Sequence, residues 1–404
     1  MTQHATGVMD AVPHDPEVPD QRSGPAWGAV ISLALGTFGL VTAEVLPASV
    51  LTPVADDLGV SYGAVGQALT ATAVAAAISA PTMAIITKRL DRKTVICAMT
   101  LLLILSNVLS AVAWSPVFLT GRVVLGIALG GFWSISASVG RRLVPSHLLA
   151  RALLIILSGV SVAGVCAAPF GVYVGDSWGW QAPFMVAAVV GAATLLVQLI
   201  TIPKLPPVGV TGLRSLLDVA KNPTIKVAIL VILLTASGHF AGLAYMRPFL
   251  EKVPVLDAEE ILQVLLAFGI GGFFGHFAGS FVARHSLKAV AALAPLLIAI
   301  AAVSLLTLGA SASVARIAVA VWGFAGGAVP VGLQTWMVLH AAPEQAESAG
   351  VLMVATFQVA IAAGAIFGGL LVDHISPTAV FAYSAVATFL AALTVFLLGP
   401  KREI

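Results

Sequence analysis

From Ala26 to residue 398 the chain is a succession of apolar stretches, each about 20 residues long, which is the length of a helix that crosses a bilayer. Only 9% of the residues are charged, whereas soluble chains carry about 25%. Such a composition excludes a soluble enzyme and a nucleic-acid-binding protein, both of which need a charged surface. The stretches lack the alternation of barrel strands, so helices are expected. We expect twelve spans, over residues 26–51, 62–87, 94–114, 117–140, 151–175, 182–202, 224–248, 258–282, 289–309, 314–338, 349–372 and 378–398.

The longest inner connection, residues 203–223, leaves six predicted spans on each side. The sequence therefore predicts an all-α membrane protein with twelve transmembrane helices in two pseudo-symmetric six-helix bundles, residues 26–202 and 224–398. Residues 203–223 form the linker between them. Residues 1–25 and 399–404 are expected to be cytoplasmic tails, the first of them disordered because it is polar and acidic.

The distribution of basic residues predicts how the chain lies in the membrane. If the N-terminus is inside, sixteen of the 20 Lys and Arg residues fall in segments on the inner side. Counting residues near the span ends with the adjacent side, the outer side holds three, and one lies deep within a span. Because basic residues are retained on the cytoplasmic side, both termini are expected to be cytoplasmic.

Two ionisable side chains fall deep within predicted spans, where a charge is costly and needs a reason. Glu44 lies in span one, and Arg122 lies at a similar depth in span four. A carboxylate can be charged or neutral, whereas arginine stays charged, so Glu44 is the candidate for carrying a proton and Arg122 for tuning it. Alternatively, Glu44 reaches water at the end of its span and Arg122 only ties helices together.

Neutral polar and aromatic side chains within the spans suggest a cavity for an uncharged substrate. A histidine can donate and accept hydrogen bonds, and a tryptophan can stack on a flat ring. The alternatives are a satisfied polar contact between helices for the histidine, and packing or interfacial anchoring for the tryptophans. The candidate cavity residues are Thr37, Trp133, Ser136, His239, Gln334, Trp336 and Gln358.

Motifs for enzymatic chemistry are missing from the sequence. We find no nucleotide-binding loop, no zinc-ligand spacing and no nucleophile–base arrangement. The chain is therefore expected to be a non-enzyme without cofactor or metal, and any transport must be driven by a gradient.

Three motifs resemble the major facilitator superfamily, in its drug:proton antiporter group. They are RLDRK at 89–93, GRVVLGIALGG at 121–131 and GVSVAGVCAAPFG at 159–171. The resemblance extends over residues 26–400. It implies the fold expected above and transport coupled to protons.

The resemblance also implies roles for individual residues. Arg122 matches the position that the family links to proton coupling. The inner gate would contain Asp91, Arg92 and Lys93, and the antiporter motif would contain Gly159, Gly164 and Pro169.

Longer segments resemble the bacterial purine ribonucleoside efflux pumps, notably residues 43–61, 125–139 and 329–337. That resemblance implies a monomer in the bacterial inner membrane that exchanges protons for small neutral nucleosides such as inosine or guanosine. The other partner is the lipid bilayer, and no nucleic acid is expected. Two alternatives remain open at this stage: a sugar or multidrug exporter with the same fold, and a membrane sensor or scaffold that does not transport.

Overall fold

The computed structural model describes residues 25–206, 213–341 and 345–399. Nearly all of the tail predicted over 1–25, and residues 400–404 of the other tail, lie outside these ranges. Fifteen α-helices occupy the described part: α1 (Trp27–Ser49), α2 (Leu51–Leu58), α3 (Tyr62–Ile86), α4 (Arg92–Ser110), α5 (Ser115–Leu143), α6 (Leu149–Trp178), α7 (Ala182–Thr201), α8 (Leu213–Lys221), α9 (Pro223–Ala244), α10 (Met246–Lys252), α11 (Ala258–Ala283), α12 (Leu287–Leu308), α13 (Ala312–Leu339), α14 (Ala346–His374) and α15 (Ala379–Leu398).

Twelve of the described helices are long and apolar enough to cross a membrane, and they match the twelve predicted spans. The three short helices, α2, α8 and α10, lie in the connections. Large apolar side chains such as Leu154, Ile200 and Phe281 are exposed on the outside of the bundle. Helices that are apolar on all sides are typical of lipid-facing spans. The predicted all-helical membrane fold is confirmed.

The seventh predicted span is too long at its end. The prediction ran to residue 248, but α9 ends at Ala244 and the chain begins the separate helix α10 at Met246. Pro248 explains the break. In a continuous helix its ring would clash with the carbonyl group of Ala244, and proline has no backbone N–H to donate to that carbonyl group. The break turns Arg247 into the protein, where its side chain is buried.

The spanning helices pack as two groups of six. The first group contains α1 and α3–α7, and the second contains α9 and α11–α15. The groups meet mainly along two helix pairs, α3 with α14 and α6 with α11. We call the side of the protein that carries α10 the α10 end.

A close backbone approach marks the contact between α6 and α11. A methyl group on Gly269 of α11 would lie 2.5 Å from the Cα of Val165 and 2.7 Å from the carbonyl oxygen of Gly164. Pro169 lies one turn further along α6 and lacks an N–H, so the carbonyl group of Val165 has lost its helical donor. That carbonyl oxygen faces Gly269. Only a residue without a side chain fits at this contact.

Candidate functional site

Glu44 lies at the boundary between the two groups of helices. It is half-buried near the end of α1, and its Oε1 accepts a hydrogen bond from Nε2 of Gln358 on α14 at 3.3 Å. Gln358 is 5% exposed, and its Oε1 has no hydrogen-bond partner. The carboxyl group is therefore held by a residue of the opposite group, so a movement between the groups changes its surroundings.

Arg122 supports the same segment of α1. Its side chain is completely buried, and its Nη2 donates to the carbonyl oxygen of Ala43 at 2.7 Å. Pro47 lies four residues after Ala43 and has no N–H, so this carbonyl group has no helical donor. In a membrane an unpaired carbonyl group is costly, and the guanidinium group satisfies it.

Arg122 thus contacts the backbone of the turn of α1 that carries Glu44, whereas the Glu44 side chain contacts Gln358. The ion pairs of the described residues do not include one between Arg122 and Glu44. Nε and Nη1 of Arg122 are buried without a hydrogen-bond partner. The guanidinium charge therefore acts on Glu44 through space, and its direct contact is with the backbone.

His239 lies on α9 in a pocket made by α11 and α13. Its Nδ1 accepts a hydrogen bond from Nε1 of Trp322 at 2.9 Å. Its ring stacks near Phe268, with centroids 6.3 Å apart, and meets the edge of Phe240 at 5.0 Å. Gly326 of α13 leaves room for the ring, because a methyl group there would lie 2.6 Å from Cε1 of the imidazole.

Aromatic rings connect the histidine to the glutamate. Phe240, which follows His239, makes an edge contact with Phe357 at 5.9 Å. Phe357 precedes Gln358, the partner of Glu44. The region where α9 and α14 meet α1 therefore contains a carboxyl group, an amide, an imidazole and phenyl rings. It offers few fixed charges and several flat apolar faces.

Four candidate cavity residues are packed against neighbouring side chains. Thr37 is completely buried, and its hydroxyl group donates to the carbonyl oxygen of Leu33 in its own helix. Trp336 is completely buried in the apolar core of the second group. Ser136 is 3% exposed, and Trp133 is half-buried against the core of the first group.

The last candidate, Gln334, is exposed on α13. Of the predicted cavity residues, the structure therefore brings Gln358 to Glu44, and it places His239 against Phe240, which in turn contacts Phe357. Thr37, Ser136 and Trp336 are buried, Trp133 is half-buried and Gln334 is exposed. The role of these five residues in a substrate cavity stays a prediction.

The predicted inner-gate residues form the turn that begins α4. Asp91 accepts hydrogen bonds from the backbone N–H groups of Lys93 at 2.8 Å and Leu205 at 2.9 Å. Arg92 is buried and donates to Thr87, and Lys93 donates to the carbonyl oxygen of Leu199. These contacts tie the turn to the end of α7 and the segment that follows it. The role of these residues in gating stays a prediction.

The predicted antiporter-motif residues lie where α6 approaches two other helices. A methyl group on Gly159 would collide with the carbonyl oxygen of Ala34 on α1. Gly164 lies at the contact with Gly269 of α11, and Pro169 frees the carbonyl group that faces it. The motif therefore sets close helix contacts, one of them between the two groups.

Arg247 closes the α10 end and was not identified as a site residue from the sequence. Its Nη1 donates to the carbonyl oxygen of Ser49 at 2.6 Å, and its Nη2 to Asp176 at 2.9 Å, both in the first group. Its Nε donates to Glu251 at 2.7 Å, and Glu251 accepts from Thr52 at 2.6 Å. One buried guanidinium group thus joins α1, α6 and α10.

Asp373 makes a second connection at this end. It accepts hydrogen bonds from the hydroxyl group of Ser61 at 2.6 Å and the N–H of Gly63 at 2.9 Å. Lys252 lies over the ring of Tyr62 at 4.3 Å. Within the described ranges, the hydrogen bonds between the two groups lie at the α10 end, apart from the one between Gln358 and Glu44. The structure is therefore closed at that end.

The comparisons with known proteins agree with this architecture. Residues 33–364 match the model of the Major Facilitator Superfamily. The chain is 37% identical over 377 residues to the purine ribonucleoside efflux pump NepI of Salmonella enteritidis and to that of Salmonella typhimurium. Each alignment covers 93% of this chain and 95% of the relative.

Solved structures share the fold at low sequence identity. A D-xylose-proton symporter superimposes with a TM-score of 0.73 at 16% identity, covering 93% of this chain and 97% of that one. A bacterial homolog of the human lysosomal transporter Spinster, in an inward-facing and occupied conformation, gives 0.72 at 19%, covering 91% and 93%. At these identities the likeness shows the fold alone.

Proposed function

The chain belongs to the Major Facilitator Superfamily and is a multi-pass membrane transporter, and we propose that it is a proton-coupled antiporter that exports purine ribonucleosides. The proposal includes a monomer in the bacterial inner membrane with both termini cytoplasmic, as the distribution of Lys and Arg favours. The α10 end then faces outward.

The contact between Glu44 and Gln358 carries the proposal of proton coupling. The donor belongs to one group of helices and the acceptor to the other, so the hydrogen bond depends on how the groups are arranged. A carboxyl group that can be charged or neutral thereby has its proton linked to the conformation of the carrier. The buried charge of Arg122 beside the same turn of α1 biases that equilibrium.

The substrate class is supported by two observations. The relatives that share 37% of their residues with this chain are purine ribonucleoside efflux pumps. The site itself combines flat apolar rings, Phe240, Phe268 and Phe357, with the neutral hydrogen-bonding groups of His239 and Gln358. A purine can stack on such rings, and the neutral groups can bind its polar edge.

The proposal is tested in proteoliposomes that contain a pH-sensitive dye. Addition of inosine is expected to cause proton movement, whereas arabinose and a lipophilic cation are not. A response to arabinose instead of inosine would replace the nucleoside by a sugar, and a response to the cation alone would indicate multidrug export. No flux of any substrate would favour the non-transporting alternative.

A substitution at Glu44 tests the coupling itself. In Glu44→Gln the new amide oxygen still accepts from Gln358, so the fold is retained, but the group no longer exchanges a proton. We expect inosine export to become independent of the proton gradient. Glu259→Gln is the matched control, because Glu259 is an exposed acid at the start of α11. Undiminished gradient-driven export by Glu44→Gln would refute the assignment.

A further inference from the structure

The hydrogen bond between Trp322 and His239 determines which nitrogen of the imidazole carries the proton. An indole N–H can only donate, and it donates to Nδ1 of His239 at 2.9 Å. Nδ1 must therefore keep its lone pair. In a neutral ring the proton then lies on Nε2, and the imidazole is a donor at that position.

The packing around the ring prevents the opposite arrangement. Trp322 is completely buried and cannot turn its indole away. Phe268 stacks on the imidazole at an angle of 26°, and Phe240 meets it at 84°, so the plane of the ring is held from two sides. A flipped ring would place a carbon against the indole N–H and lose the hydrogen bond.

Nε2 is the remaining polar position of His239. None of the hydrogen bonds among the described residues uses it, and the side chain is half-buried. Nε2 is not among the completely buried polar atoms that lack a partner, so an acceptor from outside the protein can reach it. The imidazole contacts Phe240, and Phe240 contacts Phe357 of α14, the residue before Gln358.

We infer that His239 is a specificity-determining residue whose Nε2–H binds the acceptor edge formed by N7 and O6 of a purine, and that Trp322 is a positioning residue that keeps the donor on that nitrogen. The inference rests on the proposed function. That edge of the base presents two adjacent acceptors, and N7 is present in every purine nucleoside. The rings of Phe240 and Phe268 beside the imidazole provide apolar surface for the flat base.

Equilibrium binding to the full chain in lipid nanodiscs tests the contact. Inosine is expected to bind about tenfold more tightly than 7-deazainosine, which lacks N7, because one hydrogen bond is lost and its donor is left unpaired. Nebularine, which lacks O6 and keeps N7, separates the two acceptors. A loss with 7-deazainosine supports the edge as the binding position, and binding of 7-deazainosine as tight as that of inosine overturns it.

Variants assign the discrimination to His239. His239→Leu is expected to bind inosine and 7-deazainosine equally, whereas His239→Gln, which keeps a donor, recovers part of the preference. His276→Leu is the matched control, because it removes a half-buried histidine of α11 outside this site. If His239→Leu keeps the full preference while inosine still binds, the inference alone fails. If inosine does not bind the unchanged protein, both the inference and the proposed function fail.

The role of Trp322 has a spectroscopic test. In protein labelled with ¹⁵N-histidine, the His239 signals are expected to show a protonated Nε2 and an unprotonated Nδ1. Trp322→Phe keeps an aromatic ring but removes the donor, and a mixture of both neutral forms is expected. A single unchanged form in this variant, or an Nδ1-protonated ring in the original protein, contradicts the positioning role.

Discussion

Replacement of Arg247 by glutamine is expected to open the α10 end. Arg247 is 5% exposed, and its guanidinium group is the centre of the contacts that hold the two groups of helices together there. Two of its hydrogen bonds, to the carbonyl oxygen of Ser49 and to Asp176, cross between the groups. The third, to Glu251, stays within the second group.

The size of the effect follows from the two crossing contacts. A hydrogen bond that involves a charged group contributes about 1.5–3 kcal/mol, and the side chain of Asp176 is 27% exposed, so water replaces part of what it loses. We therefore expect Arg247→Gln to destabilise the closed state, relative to the separated one, by about 2–3 kcal/mol. At about 1.4 kcal/mol for each factor of ten, the ratio of separated to closed molecules rises roughly 30- to 150-fold.

Distances between spin labels measure this ratio. In a background without Cys97 and Cys166, labels on Asp56 of α2 and Glu259 of α11 report on the separation of the groups, because both positions are exposed. The original protein should give mainly the short distance of the closed state. Arg247→Gln should add a longer one.

Arg316→Gln is the matched control for this measurement. Its side chain pairs with Glu260 between α13 and α11, within the second group, so the variant removes a charged contact without crossing the boundary. The reasoning is refuted if Arg247→Gln leaves the distance distribution unchanged, or if Arg316→Gln changes it equally.

Further substitutions at Gly269, Gly350 and Thr37 test one close helix contact and one buried hydroxyl group. Gly269→Ala places a methyl group 2.5 Å from Val165, so we expect a lower thermal midpoint and a weaker contact of α6 with α11. Gly350→Ala, where an added methyl group meets no atom within 4 Å, should be neutral or slightly stabilising, and equal destabilisation by both changes would contradict the argument. Thr37→Val removes a hydroxyl group that bonds only within α1, so initial export rates should stay within about twofold of the original, and a large loss would restore Thr37 to the substrate cavity.

The spans could be predicted from the sequence because a bilayer imposes one requirement on every segment that crosses it. Each needs about 20 apolar residues in a helix that satisfies its own backbone. The end of α9 at Ala244 was missed because the apolar run continues past it. The proline at 248 was the available signal, since it removes the donor for that carbonyl group.

The site was less predictable, because its contacts join residues far apart in the chain. Glu44 and Gln358 could each be noticed as polar groups in apolar stretches, but their hydrogen bond spans 314 positions. The aromatic ring that marked Trp336 as a candidate is equally typical of a core residue, and Trp336 lies in the apolar core of the second group. His239 was noticed as a group that can donate or accept, and only its neighbour Trp322 decides between these roles.

Prolines within the membrane helices link the sequence of a span to its contacts with other helices. Pro47 removes the donor for the carbonyl group of Ala43, and Arg122 of another helix replaces it. Pro169 removes the donor for the carbonyl group of Val165, and that carbonyl oxygen faces Gly269 of the opposite group of helices. Lipid offers no donor for a carbonyl group freed in this way, so at Ala43 the donor comes from a side chain of another helix. This contact explains why a charged residue as costly as Arg122 is buried beside the turn of α1 that carries Glu44.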